Sequence, residues 1–181
     1  MSVQIIMLSG WAGSGKDTTA NYLVEHKGYT RMAFADVLKN HIAKTRNIPR
    51  EWMDTLEGKS RIVGDKTVRE YLIQDGQAAR EKDPEVWIKF VMKTIRDATA
   101  SGKGIKVVIS DWRLPNEYTV LKREFNNVVR VRVNRFEKPP INDYTETALD
   151  KEPFEMTLDN SGTRDEYQDL LSRTEWEKLF P

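Results

Sequence analysis

The 181-residue chain has no cysteine and only two histidines, His26 and His41. Without thiols it can form no disulfide, no thiolate zinc site and no cysteine nucleophile. Two imidazoles, both inside helical patterns, do not suggest a histidine-built metal centre or a Ser-His-Asp triad. No apolar run approaches the about 20 residues of a membrane span, and the opening residues lack the basic-then-apolar layout of a secretory leader. No membrane partner and a cytoplasmic setting are therefore expected. An excess of one charge is missing as well. Lys+Arg number 29 against 28 Asp+Glu, a formal net charge of +1, so a nucleic-acid partner, which wants a basic stripe, is not expected. The length suits one compact domain over residues 1–181 with its own core.

What is present is an alternation of short β-branched runs with longer helical patterns, the signature of an α/β fold with a parallel sheet of about five strands flanked by helices. Gln4 to Ser9 is apolar without alternation, as a central strand buried on both faces should be. Further strands are expected at Thr30–Ala35, Ile105–Ser110, Val128–Val133 and, more weakly, Met156–Leu158. Asp36 reads as the N-cap of a following helix. Helical stripes recur over Val68–Ala79 and Val86–Ile95, and again over Glu117–Phe125 and Arg164–Phe180. Arg130 and Arg132 alternate with valines and read as an outer strand face, while Trp87, Phe90 and Trp176 read as packing. Residues 134–155 hold Pro139, Pro140 and many charges without a period, which suggests a lid.

The sharpest signal is Gly10-Trp11-Ala12-Gly13-Ser14-Gly15-Lys16-Asp17-Thr18, directly after the first strand and before a helix. Glycines let successive N–H groups curl inward around phosphate oxygens. The helix start adds its dipole, and Lys16 adds a full charge. The position after the lysine usually carries a hydroxyl for Mg²⁺; here it is Asp17. Its carboxylate is read either as a metal ligand acting through water or as a charge favouring the helix start. Thr18 is placed to reach a phosphate oxygen, and Trp11 to cover a ligand.

Asp111 ends the third long strand, at the sheet edge where ligands bind. It can hold Mg²⁺ or take a proton, or it can simply cap the next helix. Phosphoryl transfer also needs cations. Arg69, Ile73, Gly76 and Arg80 share one helical face, which reads equally as a monophosphate-binding surface and as a solvated face. Lys39 and Arg135 are further candidates.

Five segments, in order along the chain, resemble the deoxynucleoside monophosphate kinases of bacteriophages, within the nucleoside monophosphate kinase-like P-loop proteins. They are Gly13–Thr18, Phe34–Lys39, Thr67–Gly76 leading into Asp83–Trp87, Asp111–Glu117, and Glu146–Asp150 followed by Asp159–Thr163. The resemblance implies a P-loop kinase with an acceptor-binding helical region at about 36–82 and a lid at about 134–155. It implies transfer of the γ-phosphate of ATP, with Mg²⁺, to a deoxynucleoside 5′-monophosphate. By the same likeness Lys39, Arg69 and Arg113 surround the acceptor phosphate, Asp36 belongs to the same acceptor region, and Gln74 faces the nucleoside. Arg135 belongs to the lid, and Asn160, Gly162 and Thr163 lie against adenine. Asp17 is ordinary for such proteins. The expected partner is a small-molecule nucleotide, a homodimer is compatible with the reading, and the setting is a host cytoplasm if the gene is viral. Alternatives are a kinase of another acceptor, such as dephospho-coenzyme A or a modified base in DNA, and a nucleotide-binding regulator without transfer.

Overall fold

The computed structural model describes residues 3–100, 102–137, 139 and 143–180; within the expected lid, Lys138, Pro140, Ile141 and Asn142 lie outside the described residues. In chain order the elements are β1 (Val3–Ser9), α1 (Lys16–Lys27), β2 (Thr30–Met32), α2 (Phe34–Arg46), α3 (Leu56–Ser60), the short β3 (Ile62–Val63) and β4 (Lys66–Thr67), α4 (Val68–Lys82), α5 (Val86–Thr99), β5 (Ile105–Ile109), α6 (Pro115–Glu124), β6 (Asn127–Asn134), α7 (Tyr144–Thr147), β7 (Met156–Asp159) and α8 (Arg164–Arg173). Turns of 3-10 helix lie at Arg50–Met53 and Trp176–Leu179. The chain divides into two compact units, one of Phe34–Lys93 and the other of the residues before and after it.

The unit formed by the residues before and after Phe34–Lys93 holds a five-stranded sheet in the order β2-β5-β1-β6-β7. All its pairings are parallel. Central β1 is covered on both faces, and Ile5, Ile6, Met7 and Leu8 are fully buried, which is why its sequence does not alternate. Its core joins Ile6, Leu8, Leu23, Val108, Val131, Leu171 and Trp176. The expected α/β architecture with a parallel sheet of five strands is therefore present.

Several boundaries differ from expectation for identifiable reasons. The second strand stops at Met32, because its ladder with β5 ends at Ile109. Phe34 then opens α2, so Asp36 sits within the first turn and is not the cap. The last helix does not run to Phe180: α8 ends at Arg173, and the hydroxyl of the following Thr174 donates back to the Leu170 carbonyl at 2.7 Å. The break lets Trp176 turn inward and donate to the Leu171 carbonyl at 3.1 Å. Arg132 is 7% exposed and not on an outer face, since β6 is buried on both sides through Val131, Arg132 and Val133. Phe90, expected in the core, is 49% exposed, whereas Trp87 and Trp176 are buried.

The second unit is helical, with the β3–β4 hairpin turning at Gly64 and Asp65. Ile42, Ile48, Met53, Val68 and Tyr71 form its core. Thr67 caps α4 in a capping box with Glu70, satisfying two helix-end amides. Gly76 is buried; a Cβ there would meet Leu38 at 3.0 Å. The glycine thus serves close packing of α4 on α2, and does not open a gap between Arg69 and Arg80.

Candidate functional site

The phosphate loop lies between β1 and α1, as the glycine spacing predicts. Gly10 has φ of +148°, and a Cβ on it would come within 2.4 Å of the Val133 carbonyl. Gly15, the residue preceding α1, has φ of +110°, and a Cβ there would come within 2.4 Å of the Asn160 amide nitrogen. Only glycine combines these dihedrals with such close approaches. The buried Ser14 hydroxyl has no hydrogen-bond partner, and buried polar groups are ordinarily satisfied. Asn160 donates to the Ser14 carbonyl at 2.7 Å, and its own N–H reaches the Asn134 carbonyl at 2.7 Å. This residue therefore ties β7 to the loop.

Lys16 begins α1 and folds back over the loop, donating to the carbonyls of Gly10 at 2.6 Å and Trp11 at 2.9 Å. Burial brings its ammonium down to about 8, assisted by the Arg113 charge and countered by Glu146 and Asp17. An ammonium destabilised by burial gains from an arriving anion. Asp17 is exposed and pairs with Arg31 at 2.5 Å. Arg31 also donates to Ser110 and Asn21, at 3.0 and 3.3 Å. Thr18 is half-buried on the first turn of α1.

At the carboxyl end of β5, Asp111 is half-buried. Its neighbour Trp112 is buried and donates to the Leu114 carbonyl at 2.8 Å. The buried Glu117 carboxylate accepts from the N–H groups of Arg113 and Leu114 at 2.9 and 3.0 Å. That fixes the Arg113 backbone and starts α6 at Pro115, so neither Asp111 nor Asn116 occupies the residue preceding the helix. The Arg113 side chain reaches Glu146 at 2.5 Å and Thr145 at 3.4 Å.

Glu146 was not among the expected site residues, yet its carboxylate lies in the loop. It is buried on α7, and Oε2 accepts from the Ala12 N–H at 2.5 Å. Asp150 accepts from the Trp11 indole at 3.1 Å and from Arg132 at 2.5 Å. Arg132 also donates to Ser9 at 3.0 Å and lies near the rings of Trp11 and Phe154. The Arg130 guanidinium instead pairs with Glu155 and covers Tyr118. Arg135 is exposed beyond β6 and stacks near Phe136, whose ring lies 3.8 Å from where a Cβ of Gly13 would stand. Thr163 caps α8 in a box with Glu166, and Gly162 lies against that same carboxylate.

The second unit gathers the expected acceptor residues only in part. Lys39 pairs with Asp54 at 2.9 Å and Asp36 at 3.5 Å. Arg50, a residue not anticipated, bridges the same two carboxylates at 2.6 and 2.7 Å. Both ion pairs hold Asp54 down to about 2. The Lys59 ammonium is lowered by burial and by the nearby charges of Lys39 and Arg69. Gln74 accepts from Lys66 at 2.6 Å. Arg69 and Arg80 are exposed along α4.

A nucleoside triphosphate fits the loop by two observations: an anion already sits on the Ala12 amide, and the Ser14 hydroxyl is unsatisfied. Among the described residues no three acidic or histidine side chains form a metal cluster. Mg²⁺ typically takes one or two protein carboxylates beside substrate phosphates; Asp111, at the carboxyl end of β5, and Asp17, which pairs with Arg31, are the carboxylates the sequence offered for it.

No known protein family matches the sequence, and no curated protein does. Solved structures do resemble it. A sugar kinase from Janibacter sp. HTCC2649 superposes with a TM-score of 0.53 at 14% identity, covering 99% of this chain and 96% of that one. A protein of Chloroflexus aurantiacus provisionally described as a kinase gives 0.50 at 12% identity, covering 94% and 93%. At such identities the likeness shows the fold alone. Among the described residues no helix is long and apolar enough to cross a membrane. The chain therefore has the α/β fold of these structures, with a glycine-built loop at the carboxyl end of its central strand.

Proposed function

We propose that the protein is an ATP-dependent phosphotransferase whose acceptor is a deoxynucleoside 5′-monophosphate. The observation that carries the transferase reading is the loop, whose Ala12 amide already holds a carboxylate at 2.5 Å beside the half-buried Lys16. Support for a dianionic acceptor comes from the helical unit. There Lys39, Arg50, Lys59 and Arg69 outnumber Asp36 and Asp54, and guanidiniums suit phosphate oxygens.

When bound, Mg-ATP supplies the transferable phosphoryl group and part of its charge neutralisation. This chain's residues do the rest by placement. The loop amides and Lys16 hold the donor, Arg113 and Arg135 meet the charge of the moving group, and Lys39 and Arg69 hold the acceptor. An acceptor phosphate is already ionised at neutral pH, so no strong general base is required. Catalysis is then positioning and electrostatic stabilisation.

The test is ADP release from Mg-ATP with each deoxynucleoside monophosphate, each ribonucleotide and dephospho-coenzyme A offered separately. ADP matched by a deoxynucleoside diphosphate is the expected result. Turnover with dephospho-coenzyme A alone, or with none of them, would overturn the acceptor.

A further inference from the structure

The chain itself fills the anion seat of its phosphate loop. The Glu146 side chain is 3% exposed and makes two short bonds, from the Ala12 N–H and from Arg113, each at 2.5 Å. Four residues on, Asp150 accepts from the Trp11 indole and from Arg132. Two acids spaced i, i+4 thus grip consecutive loop residues, Trp11 and Ala12, and each also engages an arginine. Withdrawing a carboxylate from water is costly unless charge-assisted bonds compensate it. The compensation here comes from donors that serve a phosphate oxygen equally well, because it has the same sign and the same accepting geometry.

We infer that Glu146 stands in for a phosphate oxygen of the donor. It occupies the Ala12 amide and Arg113 in the free protein and yields both when a polyphosphate enters. The inference rests on the loop being the donor site, and it adds that the seat is contested between a residue of the chain and the ligand. The exchange needs no covalent change: two bonds leave Glu146 and the same two donors turn to phosphate. Asp150 keeps its hold on Trp11 and Arg132, so the segment stays attached at one end while Glu146 withdraws. The arrangement also spares the arginine a search for its partner, since Arg113 is extended toward the seat beforehand.

Competition of this kind has a signature that bracing does not. A residue that merely supports the loop weakens ligand binding when it is altered; a competitor strengthens it. The experiment is calorimetric titration of tripolyphosphate into the full chain and into Glu146→Gln at fixed ionic strength. Glu146→Gln should bind about tenfold more tightly, equivalent to about 1.4 kcal/mol; equal or weaker binding overturns the inference. Should Glu146→Gln fail to fold, amide hydrogen exchange of residues 144–148 in the wild-type protein decides. Exchange should quicken on adding tripolyphosphate, and unchanged or slower exchange overturns the inference. ADP release by the wild-type protein reports separately on transfer. Turnover without a gain in tripolyphosphate affinity retires the competition and leaves the transferase standing; the gain without turnover does the reverse.

Discussion

The two units hold charge in different ways. In the sheet unit two charges at the loop are bound to main chain: Lys16 to the carbonyls of Gly10 and Trp11, Glu146 to the Ala12 amide. In the helical unit the charges are many, more exposed and bound to one another, with Lys39 and Arg50 sharing Asp36 and Asp54. Main-chain partners are fixed by the fold, so the loop is set before any ligand arrives. Ion pairs near the surface are worth roughly 0–1 kcal/mol each, so the helical lattice can rearrange around an acceptor at little cost. The difference predicts a rigid donor seat and an adaptable acceptor surface.

The largest effect should come from the rigid side. Lys16→Ala removes a full charge from the position where charge is transferred, and loss of one such preorganised donor costs about 10²–10³ in turnover. We expect kcat for ADP release to fall at least that far, with the circular dichroism spectrum unchanged. A rate within about fivefold of wild type would break the donor-site reading. On the adaptable side, Arg69→Ala should raise the acceptor KM about 10- to 100-fold, the range of a charge-assisted hydrogen bond. Its ATP affinity should move by less than about twofold. Equal losses on both substrates would erase the distinction between the units.

Lys16 also makes the comparison sensitive to pH. Its free-state value is about 8 because burial and Arg113 disfavour the charge more than Glu146 and Asp17 favour it. A bound phosphate favours the ammonium and raises that value. Below about pH 8 the group is already protonated and binding needs no extra proton. Above it, each binding event takes up a proton, so ATP affinity should fall up to about tenfold per pH unit. Titrations between pH 6.5 and 9.5 would show the fall, and Lys16→Arg, which stays charged, should flatten it. A flat wild-type profile would mean that Lys16 does not meet the ligand.

The loop of the sheet unit was also the more legible in sequence, for the same physical reason. A loop made by glycines after a doubly buried strand leaves local marks, as Gly10, Gly15 and the unalternating Ile5–Leu8 run do. Glu146 and Arg132 leave none. Their roles depend on contacts 134 residues apart in one case and 123 in the other, and a charged residue among valines reads as a solvated face until the covering segment is known. The start of α2 was misplaced because Phe34 extends the β-like run Thr30–Ala35, whereas the strand ends where its partner β5 ends. In the helical unit, Gly76 shares a face with Arg69 and Arg80 in the sequence pattern, and spacing cannot tell an open glycine from one pressed on Leu38.

The smallest predicted effect tests the weakness of the helical lattice directly. Asp54 is held at about 2 in the folded protein by Arg50 and Lys39, against an ordinary 3.8. A depressed carboxylate stabilises the fold above its unfolded value and loses that contribution as pH falls through the folded one. Asp54 should therefore contribute fully above about pH 4 and nothing well below pH 2. Its side chain is about half exposed, so solvent screening keeps the contribution under about 1 kcal/mol. Asp54→Asn removes the titrating group while keeping its shape. Its Tm should lie a few degrees or less below wild type at pH 6, and the gap should close as pH approaches 2. A deficit of several kcal/mol at pH 6 would mean that the lattice is as rigidly held as the phosphate loop. The contrast between a preset donor seat and a yielding acceptor surface would then fail at its weaker end.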